Sequence, residues 1–527
     1  MPYTDQEKPI ELMVNAQLGI QNALAPTSLP SGAYLVKKNA MQTKVGSNAK
    51  RMGSCPVTSV ALAAVIQYLT EYRTTPTSSS LLAASGTTLY KYDGASTLTA
   101  QTMTNALAKS DIYTIAFTNE NLISILFITD GGNMKQYDGS AVADITPAAD
   151  DPSPASTNAM AAINALAPIY TWVYGGHVMV SDGSFNVYYS KKYIFDYFPD
   201  VYYLRWNRNN DYITGCGVSY GNICLVPMRK GWGIFTGTDF SNYADQLFLN
   251  TISGNVAPRA IAKLTYPDGS QTVAYLSDDG YYEVYDTGFI DSSGSGTRNL
   301  ATRSLMKNKV DFISYGFTAA EMTATEAYFD STLNLYISTI KRDTINYAFI
   351  YDVRNREWEL WDNIRAESTI RFNNVLYYAG STKLLHKYDA TLATDYDDFA
   401  QTTGTVVDHD NYTDVIMLEN TGFQSMFDYL IVNTKNFPTT STWEITIVGT
   451  SDTTVLANAV LATYATWDKS LWDFCIIVNT DFTSIVGAPV RIKLKKKAYF
   501  IQIRFRNNKN ELTELYSYRL IGRSSGG

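Results

Sequence analysis

Residues 272–286 read Thr272-Val273-Ala274-Tyr275-Leu276-Ser277-Asp278-Asp279-Gly280-Tyr281-Tyr282-Glu283-Val284-Tyr285-Asp286. An apolar strand runs into an Asp/Gly turn, and a second strand returns and finishes in Tyr-Asp. Glycine takes positive φ at no steric cost and Asp bonds its own backbone, so this pattern is a strong hairpin signal. The same phrase occurs along most of the chain. Residues 80–84 turn at Ser85-Gly86 and return over 87–92. Residues 124–129 turn at Asp130-Gly131-Gly132-Asn133 and return over 134–137. Residues 177–180 turn at Ser181-Asp182-Gly183 and return over 185–189. Residues 375–378 turn at Ala379-Gly380-Ser381 and return over 383–388.

Strand ends in Tyr-Asp fall at Tyr92-Asp93, Tyr137-Asp138, Tyr285-Asp286, Tyr351-Asp352 and Tyr388-Asp389. The wide gap between Tyr188 and Tyr285 has room for a further copy near Gly231-Trp232-Gly233-Ile234-Phe235. Intervals of about 40–50 residues with four short strands each suit propeller blades. The chain is therefore expected to be all-β, with a six- or seven-bladed β-propeller over 80–400. A large irregular β-sandwich is the alternative. Residues 1–79, with Pro26, Pro30 and Gly32, are expected as an N-terminal arm and packing segment, in which 57–72 reads as either a helix or a strand. After residue 400 the rhythm changes, and alternating segments at 429–432, 443–448, 475–478, 490–495, 499–506 and 515–521 predict a C-terminal β-sandwich domain over 401–527. Two stretches interrupt the β reading: 144–165, with a short helix expected at 157–166, and the Ser/Gly loop around 291–296.

The 527 residues are 45% hydrophobic and only 17% charged, which describes a packed globular protein. Tyrosine is abundant at 39 copies, a residue suited to half-buried strands and subunit contacts. The net charge of −8 argues against a surface that coats nucleic acid. The one dense basic run, Arg491-Ile492-Lys493-Leu494-Lys495-Lys496-Lys497 with Arg504 and Arg506, reads as a polar strand face. A phosphate backbone or an acidic neighbour is its alternative contact. Four scattered cysteines (Cys55, Cys216, Cys224, Cys475) make no disulfide framework, although Cys216 and Cys224 could meet across a hairpin. The start of the chain lacks a signal-peptide pattern, and no apolar run reaches the ~18 residues of a membrane helix.

Catalytic constellations are sparse. His177, His386 and His409 are the three histidines, and none has a partner at metal-ligand spacing. No nucleophile elbow, phosphate loop or dinucleotide fingerprint is present. Glycoside hydrolysis needs two carboxylates, for which Asp196, Asp278, Asp279, Glu283, Asp352, Glu357, Glu359 and Asp362 are candidates. Most of these fall in turns, where Asp has a structural role. Ser181-Asp182-Gly183 and Ser277-Asp278-Asp279-Gly280 lack the Ser-x-Asp-x-Gly spacing of a sialidase Asp box. The turns also lack the ligand ladder of a calcium loop. The aromatic segment 197–206 could line a groove or serve packing. No catalytic, cofactor-binding or metal-ligating residue is assigned.

Two stretches carry a family resemblance. Leu18-Gly19-Ile20-Gln21-Asn22 leads to Pro26, Leu29-Pro30, Ala33-Tyr34, Asn39 and the turn Lys50-Arg51-Met52-Gly53-Ser54. This order resembles the opening of the tail nozzle (tail tubular B) proteins of short-tailed bacteriophages, with Met52 where that family has Pro. Residues 315–322, Tyr328-Phe329-Asp330-Ser331-Thr332-Leu333-Asn334-Leu335-Tyr336, Ile350-Tyr351-Asp352 and Glu357-Trp358 are similar to packaged-DNA stabilisation proteins of related phages. The resemblance implies a non-enzymatic virion protein of the phage tail, assembled in the host cytoplasm. It implies a hexameric nozzle ring below the portal and head-to-tail adaptor. Such a ring would extend the DNA channel, retain packaged DNA without reading its sequence, and carry tail fibres or a needle. A receptor-binding or glycan-degrading tail protein on a propeller is the rival expectation. The long loops 144–165 and 287–299 are the first places to seek a channel gate.

Overall fold

The Asp/Gly turns and their flanking strands assemble into antiparallel meanders. The computed structural model describes residues 10–15, 18–24, 30, 33–43, 47–75, 78–119, 124–152, 155–206, 210–237, 244–250, 254–290, 298–342, 345–364, 366–414, 416, 425–434, 444–451, 454–455, 490–498 and 500–524. The architecture is β-propeller-like and nearly all β. Among the described residues, seven consecutive meanders follow one another. The first comprises Ile66–Thr75, Ser78–Ser85, Thr88–Tyr92 and Leu98–Ala100. The second to fifth begin with Tyr113–Thr118, Tyr170–Tyr174, Val218–Tyr220 and Ala262–Thr265. The sixth begins with Glu326–Asp330 and the seventh with Ala366–Phe372. The series starts at Ile66, upstream of the expected boundary at 80, because Ile66–Thr75 pairs along its length with Ser78–Ser85.

Each second strand reads as an apolar run, and the packing explains why. Side chains alternate across a strand, so successive residues enter opposite interfaces. Leu82 and Ala84 pack on Leu126, Ile128 and Tyr137 of the second meander, whereas Leu81 and Ala83 pack on Ala379 and Leu385 of the seventh. Ile125 and Phe127 meet Val178 and Val180 of the third. Met179 meets Cys224 and Val226 of the fourth, and Leu225 meets Val273 and Tyr275 of the fifth. Leu276 and Tyr281 meet Tyr336 and Trp358 of the sixth, whose Ile337 and Ile350 meet Leu376 and Tyr378 of the seventh. The clusters thus run through all seven meanders and return from the seventh to the first.

The Tyr-Asp endings divide their work. Tyr92, Tyr137, Tyr351 and Tyr388 are buried between meanders. Asp93 Oδ1 accepts the backbone N–H of Ala95, Ser96 and Thr97 at 2.8–3.0 Å, and Asp138 Oδ1 accepts those of Ser140 and Ala141 at 2.8 and 2.9 Å. Asp389 does the same for Thr391 at 2.9 Å.

Residues 10–56, expected as an irregular arm, supply strands to three sheets. Gly53–Pro56 pairs antiparallel with Leu385–Asp389 and so becomes the fourth strand of the seventh meander. Tyr34–Lys38 sits between Glu357–Trp361 of the sixth meander and His409–Thr413. That sheet continues through Ile501–Asn507 and Glu444–Ser451. The opposing sheet pairs Ile10–Asn15, Asn48–Lys50 and Ser425–Thr434 with Glu514–Ser524, and Ser425–Thr434 with Val490–Ala498. Val14, Tyr34, Phe427, Leu430, Ile501, Ile503, Phe505 and Leu520 fill the core between the two sheets. These N-terminal strands are short and their partners lie hundreds of residues away, which hides them from a local reading.

The expected helix near 157–166 is present as Met160–Ala165. The Ser/Gly loop at 291–296 and the segment 475–478 with Cys475 lie outside the described residues. So do the side chains of the basic residues at 491–497. No helix among the described residues is long and apolar enough to cross a membrane.

A Cβ on Gly53 would lie 2.4 Å from the Thr394 carbonyl oxygen and 2.9 Å from Leu392 Cβ, so only glycine fits between these strands. Gly53→Val is expected to destabilise the protein by about 1–3 kcal/mol through overpacking, measured as a lower midpoint in chemical denaturation.

Candidate functional site

The first strands of the first, second, fourth, sixth and seventh meanders, with the turn before the fifth, line an axial cavity of about 330 Å³. Tyr68 and Thr70 of the first meander, Tyr113 of the second, Val218 of the fourth, Arg259 before the fifth, Glu326 of the sixth and Thr369 of the seventh line it. Its centre is Arg259. Pro258 and a tight turn, with Ala260 N–H donating to Ala257 O at 3.1 Å, fix the backbone there. The Arg259 carbonyl accepts from Ala327 N–H at 3.0 Å, which ties the fifth meander to the sixth.

The guanidinium reaches across the axis. It donates to Gln67 O at 2.7 Å and Ile112 O at 3.0 Å, pairs with Asp111, and stands 3.8 Å from Glu326 Oε2. Its plane lies over the rings of Tyr68 and Tyr113, 4.9 and 5.4 Å from their centroids. Glu326 Oε1 accepts Thr369 N–H at 3.0 Å, which brings in the seventh meander. Burial pushes the Glu326 carboxyl up to about 7, against the opposing pull of Arg259. The Cys216 thiol beside it is pushed up to about 12 by burial and is poorly nucleophilic there. Arg259 was legible in the sequence only as a lone charge in the otherwise apolar Val256-Ala257-Pro258-Arg259-Ala260.

A second polar constellation lies where the seventh meander, the sixth meander and the C-terminal sandwich meet. Arg51 is fully buried. Its Nε donates to Asn39 Oδ1 at 3.0 Å, Nη1 to Met52 O at 2.8 Å and Asp395 Oδ1 at 3.0 Å, and Nη2 to Asp362 O at 2.9 Å and Asp395 Oδ2 at 2.5 Å. Asn39, at φ 54°, donates to Asp408 O at 2.9 Å and accepts Asp362 N–H at 2.9 Å. Lys37 and Glu359 form a buried pair at 2.7 Å. Lys50 donates to Asn507 Oδ1 at 2.6 Å and to Lys509 O at 2.7 Å.

The histidines and the candidate carboxylates are dispersed. His177 Nδ1 lies 2.6 Å from Ser190 O, and His386 stacks on Tyr378 with Nε2 2.6 Å from Thr382 Oγ1. His409 sits between Asn48 and Thr513, and burial first, then Lys50 and Lys37, holds it well below its ordinary value. Among the carboxylates, Asp278 pairs with Arg229, Glu283 with Arg303, Asp352 with Arg354, Glu357 with Lys309, Glu359 with Lys37 and Asp362 with Lys38. Asp279 accepts from Tyr282 at 2.8 Å, and burial raises Asp196. Arg504 and Arg506 of the basic stretch are held bidentately by Asp410 and Asp408. Cys216 and Cys224 are free thiols. Tyr197, Phe198, Leu204 and Trp206 of the aromatic segment are buried, whereas Val201 and Tyr203 are exposed. Among the described residues, none of the loop 144–165 lines the axial cavity.

No family model matches the chain, and no curated protein matches it either. Solved structures similar to it include the computationally designed Ika8 protein, at 10% identity and TM-score 0.34, covering 63% of this chain and 99% of that one. BamB from Moraxella catarrhalis matches at 11% identity and TM-score 0.34, covering 64% and 97%. BBS1N in complex with ARL6DN matches at 9% identity and TM-score 0.36, covering 67% and 97%.

Two outcomes follow from the charges. Glu326 binds a proton in the folded chain between about pH 4.5 and about 7, where the unfolded chain has released it. Stability from this group is therefore present below pH 4.5 and falls as pH rises through 7, by on the order of 2–3 kcal/mol. Glu326→Gln is expected to remove that slope in denaturation series run from pH 4.5 to 8. Asp395→Asn leaves the Arg51 charge buried without its counter-ion, with an expected loss of about 3–5 kcal/mol. The double variant Arg51→Met, Asp395→Leu is expected to lose less than Asp395→Asn in the same denaturation assay.

Proposed function

We propose that this chain is a structural component of a bacteriophage tail with no catalytic role. In this reading the seven meanders are the blades of a seven-bladed propeller, closed by Gly53–Pro56, and six copies form the nozzle ring. The ring sits below the portal and head-to-tail adaptor, extends the DNA channel, retains packaged DNA and anchors fibres or a needle.

The observation that carries the reading is the place of the residues resembling the nozzle family. Asn39, Arg51 and Ser54 build the buried joint, with Ser54 Oγ donating to Asp395 at 2.9 Å. Gly19, where a Cβ would lie 2.5 Å from the Trp358 carbonyl, packs on the sixth meander. Thr318 and Glu321 form a capping box, and Asp330 Oδ1 accepts the N–H groups of Thr332 and Leu333 at 2.9 and 3.0 Å. The resembling positions therefore have architectural roles, as a scaffold requires.

Negative-stain imaging of the purified protein tests the proposal. A sixfold ring that docks onto a portal–adaptor complex is expected. A stable monomer or trimer that binds host cells would favour a receptor-binding protein instead. Oligosaccharide release from host capsule, abolished by substituting one carboxylate pair, would favour a glycan-degrading one.

A further inference from the structure

Charge is distributed very unevenly along this chain. Residues 388–434 contain nine of the 50 acidic residues and none of the 42 Lys and Arg, so the rest of the chain holds 41 acidic and 42 basic groups. The whole negative balance therefore belongs to one stretch. Several of its carboxylates are paired internally: Asp395 with Arg51, Asp408 with Arg506, Asp410 with Arg504 and Asp428 with Arg523. Asp397 is exposed, in the turn between Thr394–Tyr396 and Gly404–Val406 at the outer edge of the seventh meander's sheet. Phe399, in the same turn, is 46% exposed. Asp398 holds the turn together through Thr402 and Thr403.

The exposed large apolar side chains are uneven in the same way. Of the ten among the described residues, Leu166, Tyr193, Val201, Tyr203 and Tyr212 all lie in or beside the third meander. Tyr203–Arg205 is the outermost strand of that sheet. Tyr203 pairs across the strand with Tyr188, and Arg205 with Asn186, so an aromatic pair and a cation share one exposed face. Arg205 lies over the Phe185 ring at 4.6 Å, and the exposed Lys192 lies over Tyr193 at 5.7 Å. Exposed aromatic residues with arginine are the composition of an interface core.

From this complementarity we infer that the outer face of the third meander, centred on Tyr203 and Arg205, receives the Asp397–Phe399 turn of a second copy of the chain. Phe399 packs against Tyr203, and Asp397 faces Arg205. The two surfaces differ and lie on well-separated parts of the meander series, with the first and second meanders between them on the shorter side. The contact is therefore heterologous, the type that generates closed rings when the rotation closes. The inference rests on the ring proposed above and names the surfaces that build it.

The test uses the full chain in analytical ultracentrifugation and negative stain. Arg205→Glu and Asp397→Lys are each expected to dissociate the ring when present alone. Mixed in equal amounts they are expected to reassemble, because every junction in an alternating ring is then intact or doubly reversed. This rescue also shows that each variant is folded. If the unmodified chain forms a ring and either variant alone still does, the inference is wrong and the nozzle reading stands. Dissociation without rescue on mixing likewise overturns the inference alone. A monomeric unmodified chain overturns both.

Discussion

The Arg51 guanidinium is the constraint on which the joint depends. An arginine removed from water is costly unless each N–H finds an acceptor and its charge a counter-ion. Arg51 meets both conditions with five hydrogen bonds, to Asn39, Met52, Asp362 and twice to Asp395. Each acceptor belongs to a different stretch. Asn39 follows the strand shared with the sandwich, Met52 precedes the strand that completes the seventh meander, Asp362 ends the sixth, and Asp395 lies beyond the seventh. The charge is therefore satisfied only when all four stretches are in place. A hydrophobic joint could slide, but a planar fork with fixed acceptors sets one geometry.

This arrangement matters because the meander series has no single core. Each second strand is buried on both faces, and stability is spread over successive interfaces that each join two neighbours. A series of this kind needs its ends joined, since an open end would expose Leu81 and Ala83 on one side and Ala379 and Leu385 on the other. Gly53–Pro56 makes the join in the backbone, and Arg51 anchors that strand two residues before it begins.

The hairpins were legible because their signals are local. Apolar alternation, Gly at positive φ (Gly86 at 59°, Gly183 at 84°) and Asp at the turn all act within a few residues. The same locality explains what stayed hidden. Tyr34–Lys38 and Gly53–Pro56 carry no turn of their own, and their partners are residues such as Asp410 and Lys387. Asn39 and Arg51 stand twelve residues apart in a stretch that carries only a family resemblance, and nothing local to either shows that they touch. Arg259 and Glu326 carry no local signal, because a lone Arg and a strand Glu acquire meaning only when the meanders converge. Tyrosine suits half-buried strands, packing between repeats and subunit contacts alike, and Tyr137, Tyr275, Tyr281 and Tyr336 are fully buried, which places them in packing between meanders.

The axis repeats the logic of the joint at smaller scale. Arg259 reaches across the cavity where the first strands meet and bonds carbonyls of the first and second meanders. Its aromatic neighbours, Tyr68 and Tyr113, stack on the guanidinium without competing for its N–H groups. Glu326 is the weaker part of this device, since its distance to Arg259 of 3.8 Å is an ion pair without a hydrogen bond. Burial consequently outweighs attraction and raises the carboxyl. Arg51 and Arg259 thus hold the two places where many strands meet, Arg51 against Asp395 and Arg259 against Asp111 with Glu326 farther off.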